Sequence, residues 1–291
     1  MEHMIENEYL RLSVSSRGAE MQSLFCKLDG TEHLWQGDPQ LWGYRAPLLF
    51  PWCGRQVGGG FRYKGKSYAA PPHGFAREME HELLVQKEDE LLFLLKDSEQ
   101  SLERWPFSFR LLVGYQLRGT ELIQTVRVEN SGDEPMRFGL GFHPGFALPF
   151  DREHIWSDYE LRFDREESPI CLDTPKGTVS DHIRPFLRCT KTVELTEHLF
   201  ADDSYLMTGL RSDTLGLYEK GSGRGLRVDI SSFPYCLIWS KPGEPRFVCI
   251  EPWHSLPSFD DDPQDWEQRS CAARLMPGES WQSCLKIEIL R

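Results

Sequence analysis

The sequence predicts an all-β fold, a sandwich or a barrel, on three observations. Apolar residues recur with period two along most of the chain. The segments that carry this alternation are short, and turn-forming clusters separate them throughout. Sustained helical periodicity is scarce. Many short strands with regular turns are the pattern of β-sandwiches and barrels.

In chain order, residues 9–15 alternate through Leu10, Leu12 and Val14. Residues 83–96 have the length of a helix, but the polar cluster at 87–90 splits two apolar runs, which favours a hairpin. Residues 122–128 set Leu122, Gln124, Val126 and Val128 against Ile123, Thr125 and Arg127. Residues 226–230, 235–239, 247–250 and 285–290 read as further strands. Turn clusters lie at 58–60, 64–66, 131–135, 221–225 and 241–245. Short helical turns are expected at 38–42, 194–200 and around 263–269. With no repeat, heptad, low-complexity tract or linker, residues 1–291 read as one domain, since large β folds often exceed the ~150-residue prior.

Composition excludes several partners. There are 33 basic against 45 acidic residues, a net charge of −12, and no dense Lys/Arg run, so no nucleic acid is expected. No apolar stretch approaches the ~20 residues of a membrane span, so no membrane is expected either. Residues 1–10 carry three glutamates and no basic start before an apolar run, unlike a secretory signal. The eight cysteines form no C-x-x-C pair, which argues against a zinc ribbon or a thioredoxin-type motif. They are expected to be reduced thiols of a cytoplasmic protein, with Cys236 and Cys249 as small core residues.

Four segments place a polar side chain in a rigid, turn-rich frame. Residues 47–55, PLLFPWCGR, end an apolar run on Arg55, whose planar donors suit sugar hydroxyls or carboxylates; a surface salt bridge is the ordinary alternative. Residues 71–77, PPHGFAR, hold His73 between proline and glycine, where a turn-capping histidine is the alternative. Residues 139–146, GLGFHPGF, hold His143 extended before Pro144, able to move a proton near neutral pH or simply to bond within the core. Residues 247–254, FVCIEPWH, end an apolar strand on Glu251. Desolvation raises a carboxyl's pKa, and an unpaired buried carboxylate is costly, so a function is favoured over a structural pair with an arginine.

Other chemistries find no support. There is no H-x-H cupin pair, H-E-x-x-H, P-loop, dinucleotide fingerprint or G-x-S-x-G elbow. A glycosidase needs two positioned carboxylates, and Glu251 has no comparably framed partner.

Taken together and in order, these segments resemble the aldose 1-epimerase (galactose mutarotase-like) family, in its LacX-like branch. Residues 7–10 (NEYL), 16–24 (SRGAEMQSL), 32–35 (EHLW), Trp42 with 46–51 (APLLFP) and 239–243 (WSKPG) share the likeness. It covers nearly the whole chain. The resemblance implies one large antiparallel β-sandwich with a few short helices and an open sugar cleft. It implies a catalytic base at Glu251, an acid at His143, and sugar-binding residues at Arg55 and His73. A cleft aspartate matches Asp203, with Asp202 one residue away. Trp239 and Trp253 are wall residues for a pyranose, or else plain core. Two departures stand beside the site: Phe142 replaces a glycine and is expected to narrow the cleft, and 254–257 (HSLP) replace small turn residues.

The activity so implied is interconversion of the α and β anomers of an aldose by a monomer or homodimer, without cofactor or metal. Glu251 takes the anomeric proton, protonated His143 gives one to the ring oxygen, and the ring opens and recloses. A chelator is expected to have no effect. The pH profile is expected to be a bell, with Glu251 on the acid limb and His143 on the basic limb, the histidine held at or above about 6.5 by the carboxylate. Alternatives are a non-catalytic sugar-binding or sensing module, and a hexose-phosphate mutarotase using Arg45, Arg62, Lys64 or Arg77 at the rim.

Overall fold

Alternation decides which face of each strand meets the core. In Glu121–Asn130, residues Leu122, Gln124, Val126 and Val128 are buried, while Ile123, Thr125 and Arg127 are not. The same rule holds in Leu10–Ser15 and Ser280–Leu290. The computed structural model describes residues 1–243 and 245–291. Strands dominate it.

A nine-stranded antiparallel sheet runs in the order Thr190–Glu194, Tyr159–Glu167, Thr214–Glu219, Gly225–Asp229, Ser280–Leu290, Glu121–Asn130, Phe109–Arg118, Glu90–Lys96, Glu82–Gln86. Its last two strands are the hairpin expected at 83–96. An eight-stranded antiparallel sheet runs Ile183–Arg184, Ile170–Leu172, Tyr205–Thr208, Tyr235–Trp239, Phe247–Trp253, Gly141–Phe142, Leu48–Leu49, with Gly145–Ala147 also on Phe247–Trp253. A four-stranded sheet begins the chain. One hydrophobic cluster joins the two large sheets, drawing Val113, Val126, Leu217 and Ile287 from the first and Phe146, Met207, Ile238 and Ile250 from the second.

The helical expectations are met in part. Residues 38–42 form a turn in which the Leu41 and Trp42 N–H groups donate to the Asp38 carbonyl at 3.0 and 2.8 Å. Of 194–200, Glu194 ends a strand and only 197–200 are turn, and within 263–269 only Trp266–Gln268 is a short 3₁₀ helix. The one α-helix among the described residues, Glu99–Arg104, was not expected. Ser98 and Ser101 cap it reciprocally, at 3.3 and 2.8 Å, where the familiar box carries Glu or Gln. No helix among the described residues is long and apolar enough to cross a membrane.

The strand expected over 247–250 continues to Trp253, with every residue buried. Its period of two sends Val248 and Ile250 into the core between the sheets and Glu251 and Trp253 to the opposite face. Two short strands, Gly141–Phe142 and Gly145–Ala147, flank it on one side, and the chain between them is His143-Pro144. There the Ile250 N–H donates to the Pro144 carbonyl at 3.3 Å. That interruption sets His143 opposite Glu251.

Candidate active site

A cavity of about 510 Å³ opens on the outer face of the eight-stranded sheet. Arg55, His73, His143, Asp203, Trp239, Glu251 and Trp253 all line it, and Asp202 does not. At its base the His143 Nε2 lies 3.3 Å from the Glu251 Oε2, with the two side chains 8% and 1% exposed. Neither Glu251 oxygen has a hydrogen-bond partner among the described residues, nor does the His143 Nδ1.

Burial pushes the Glu251 carboxyl well above its ordinary 4.5, and the charge of Asp203 adds to this. Burial also pushes His143 well below 6.5, with His73 and Arg77 acting the same way. The direction expected for Glu251 is therefore found. The direction expected for His143 is reversed, because desolvation is the largest effect on it and His73 and Arg77 act the same way.

His73 is positioned by strained backbone. Its φ is 68°, and its Nδ1 accepts the Gly54 N–H at 3.2 Å, so the neutral ring carries its proton on Nε2. Gly74, at φ 73°, is required: a Cβ there would lie 2.0 Å from the Phe50 carbonyl oxygen, which accepts the Phe75 N–H at 2.9 Å. Gly74→Ala is expected to destabilise the fold by about 2–4 kcal/mol, read as a lower midpoint in urea. A midpoint equal to wild type would remove that packing argument.

Arg55 reaches the cavity over Gly177, where a Cβ would come within 2.7 Å of the Arg55 side chain. Asp203 sits at φ 74° in a turn whose N–H donates to the Phe200 carbonyl at 3.2 Å, a conformation that aspartate tolerates.

Among the cavity residues to which the sequence reading gave no sugar-site role are Trp42 and Tyr44, and Arg77, named there only as a rim group, lines the same cavity. Trp42 stacks on His143 with centroids 4.8 Å apart and planes at 22°, and meets Trp239 edge-on at 5.7 Å. A Cβ on Gly145 would strike Trp42 at 2.6 Å, so the glycine admits the indole. Arg77 lies 4.6 Å over the Tyr44 ring and donates to the Pro72 carbonyl at 2.9 Å. The legible signals were the 38–42 turn and the Arg ending PPHGFAR, but neither reveals where its side chain points.

Of the two departures, Phe142 and His254 lie away from the cavity. Phe142 is buried and packs edge-on to Phe233, so it does not narrow the cleft as expected. His254 lies 2.7 Å from the Ser283 hydroxyl and packs on Phe233 and Trp281; of 254–257 only Pro257 reaches the cavity. Arg45, Arg62 and Lys64 do not line the cavity: Arg45 donates to Gln22 at 2.7 Å, and Lys64 pairs with Glu134.

The family model for aldose 1-epimerase matches residues 1–287. The chain belongs to the aldose 1-epimerase family. The chromosomal protein LacX of Lactococcus lactis subsp. lactis is 30% identical over 98% of both chains. A solved galactose mutarotase related enzyme from Lactobacillus acidophilus superposes with a TM-score of 0.94 at 31% identity, covering 100% of this chain and 98% of that one. A galactose mutarotase-like protein from Lactobacillus casei gives 0.91 at 28%, covering 100% of both. The fold is thus a galactose mutarotase-like β-sandwich, as the resemblance implied.

Proposed function

We propose that this epimerase family member is an aldose 1-epimerase, with Glu251 and His143 as its proton-transfer pair. The observation that carries the reading is their 3.3 Å contact at the base of a cavity otherwise lined by tryptophans, arginines and a second histidine. Glu251 takes the anomeric hydroxyl proton and His143 delivers one to the ring oxygen. The ring opens, the C1–C2 bond rotates, and closure with the roles reversed gives the other anomer.

Ionised Glu251 with protonated His143 contains the same proton count as the neutral pair that burial favours. One transfer across the contact converts resting pair to working pair, so the pair, not either residue, is the titrating unit. Arg55 and the Nε2–H of His73 are donors for the sugar and for charge developing on its ring oxygen. Trp239 and Trp253 offer apolar faces to the pyranose, and Trp42 belongs with them. Polarimetry of freshly dissolved aldoses with and without protein tests the reading; an unchanged rate of approach to equilibrium for every aldose refutes it.

A second reading, an aldose bearing an anionic group, is favoured by one observation. Arg55 and Arg77 both face the cavity, and neither forms an ion pair with any described residue. Two guanidiniums without a carboxylate partner among the described residues, in a chain of charge −12, suit a phosphate or carboxylate remote from the anomeric carbon. On this reading kcat/KM for glucose 6-phosphate exceeds that for glucose by at least tenfold, and Arg77→Gln closes the gap. Equal values for the two sugars exclude it and leave the neutral-aldose reading standing.

A further inference from the structure

Three clusters of metal-ligating side chains occur among the described residues: Cys26, Asp29 and His33; Asp151, His154 and Glu219; and His143, Cys249 and Glu251. The first two are already served by a resident cation. Arg224 sits 3.2 Å from Asp29, 2.9 Å from Asp151 and 3.5 Å from Glu219. The third has no Lys or Arg ion-paired to its carboxylate among the described residues.

That third cluster follows from the strand period. Cys249 and Glu251 are two residues apart on Phe247–Trp253 and so share a face, and the break at His143-Pro144 brings the imidazole over them. One ligand atom from each lies within 4.8 Å of the others. The imidazole and carboxylate atoms are 3.3 Å apart. Ligands about 2.0–2.1 Å from a tetrahedral ion are separated by roughly 3.3–3.4 Å, so this edge is already formed. The thiol has to close by no more than about 1 Å. Both Glu251 carboxylate oxygens are buried without a partner among the described residues, a cost that a divalent cation at the His143 Nε2 edge would relieve.

We propose that His143, Cys249 and Glu251 form a binding site for Zn²⁺, and that its occupancy switches the enzyme off. Nitrogen, thiolate and carboxylate together select Zn²⁺ over Mg²⁺ or Ca²⁺, and three protein ligands leave the fourth position open to the cavity. Binding displaces the thiol proton and the proton shared by the pair into solvent. The ion then occupies the lone pairs that accept and hold the sugar's protons, so metal and proton transfer exclude one another. The inhibition rests on the acid–base reading above; the binding does not.

The test pairs a spectrum with a rate, on the full chain. Co²⁺ added to the wild type is expected to give a thiolate-to-cobalt charge-transfer band in the near ultraviolet, and Zn²⁺ to abolish it. Zn²⁺ is expected to stop mutarotation, EDTA to restore it in full, and saturating aldose to raise the Zn²⁺ needed. Cys249→Ser should lose the band and require at least tenfold more Zn²⁺ for half-inhibition of its own rate, with Cys249→Ala as a second variant and Cys189→Ser as the control that keeps both. No band on an active enzyme overturns the site and leaves the acid–base reading intact. A band on a protein inert to every aldose supports the site and sinks the acid–base reading. Activation by Zn²⁺, or equal inhibition in Cys249→Ser, overturns the proposal.

Discussion

Glu251→Gln is expected to lower kcat for mutarotation by about 10³–10⁴-fold while leaving the fold intact. The amide keeps the shape of the side chain and loses its basicity, and a positioned acid–base group is worth about 10²–10⁴ in rate. Because Glu251 is buried beside a single polar contact, solvent does not readily supply a substitute base. Stability should move the other way. The raised carboxyl means that the folded state holds this proton more tightly than the unfolded chain does. The stability Glu251 contributes is therefore fully present below its unfolded value of 4.5 and is lost as pH rises through the folded value. At neutral pH the neutral amide escapes that loss, so the variant should melt above wild type at pH 7 and no higher than wild type at pH 4. A rate within a few-fold of wild type, or a melting difference that does not change with pH, would count against this account of Glu251.

His143→Asn is expected to lower the maximal rate by about 10²–10³-fold and to change the form of the pH profile. In the wild type the working state carries one proton on the pair. A second proton is gained on the acid side, where the depressed His143 titrates, and the last is lost on the alkaline side, where the raised Glu251 titrates. A bell is again the expected profile, but with Glu251 on the alkaline limb and His143 on the acid limb. Without the imidazole only Glu251 remains, and it is competent as a base once ionised. Residual activity should rise with pH through the Glu251 transition to a plateau, and the alkaline fall should vanish. The measurement is kcat/KM by polarimetry from acid to alkaline pH in both proteins. If the alkaline fall persists unchanged in His143→Asn, another group supplies the proton, and His73, with its ring 5.6 Å away, is the next to test.

Period-two alternation was enough to predict an all-β chain, the hairpin at 83–96 and most of the long strands, because a strand's burial pattern is set between residues i and i+2. The framed polar residues Arg55, His73, His143 and Glu251 were legible for a similar reason: proline and glycine beside a polar side chain are local marks of constrained backbone. Family likeness, not spacing, added Asp203 and the division of roles. Tertiary structure alone brought residues 55 to 251 into one cavity. It laid Trp42 on His143, turned Phe142 and His254 away from the cleft, and set Arg77 inside it. Each of these depends on which distant strand lies alongside, and no window of neighbouring residues contains that information. The protonation bias of the pair belongs to the same class. Sequence places a carboxylate at the end of a strand and an imidazole before a proline, but only the packed structure decides how much water and which charged groups surround them, and hence which way each pKa moves. Cys249 makes the point most sharply: from sequence it is a core thiol, and only the fold sets it beside His143 and Glu251.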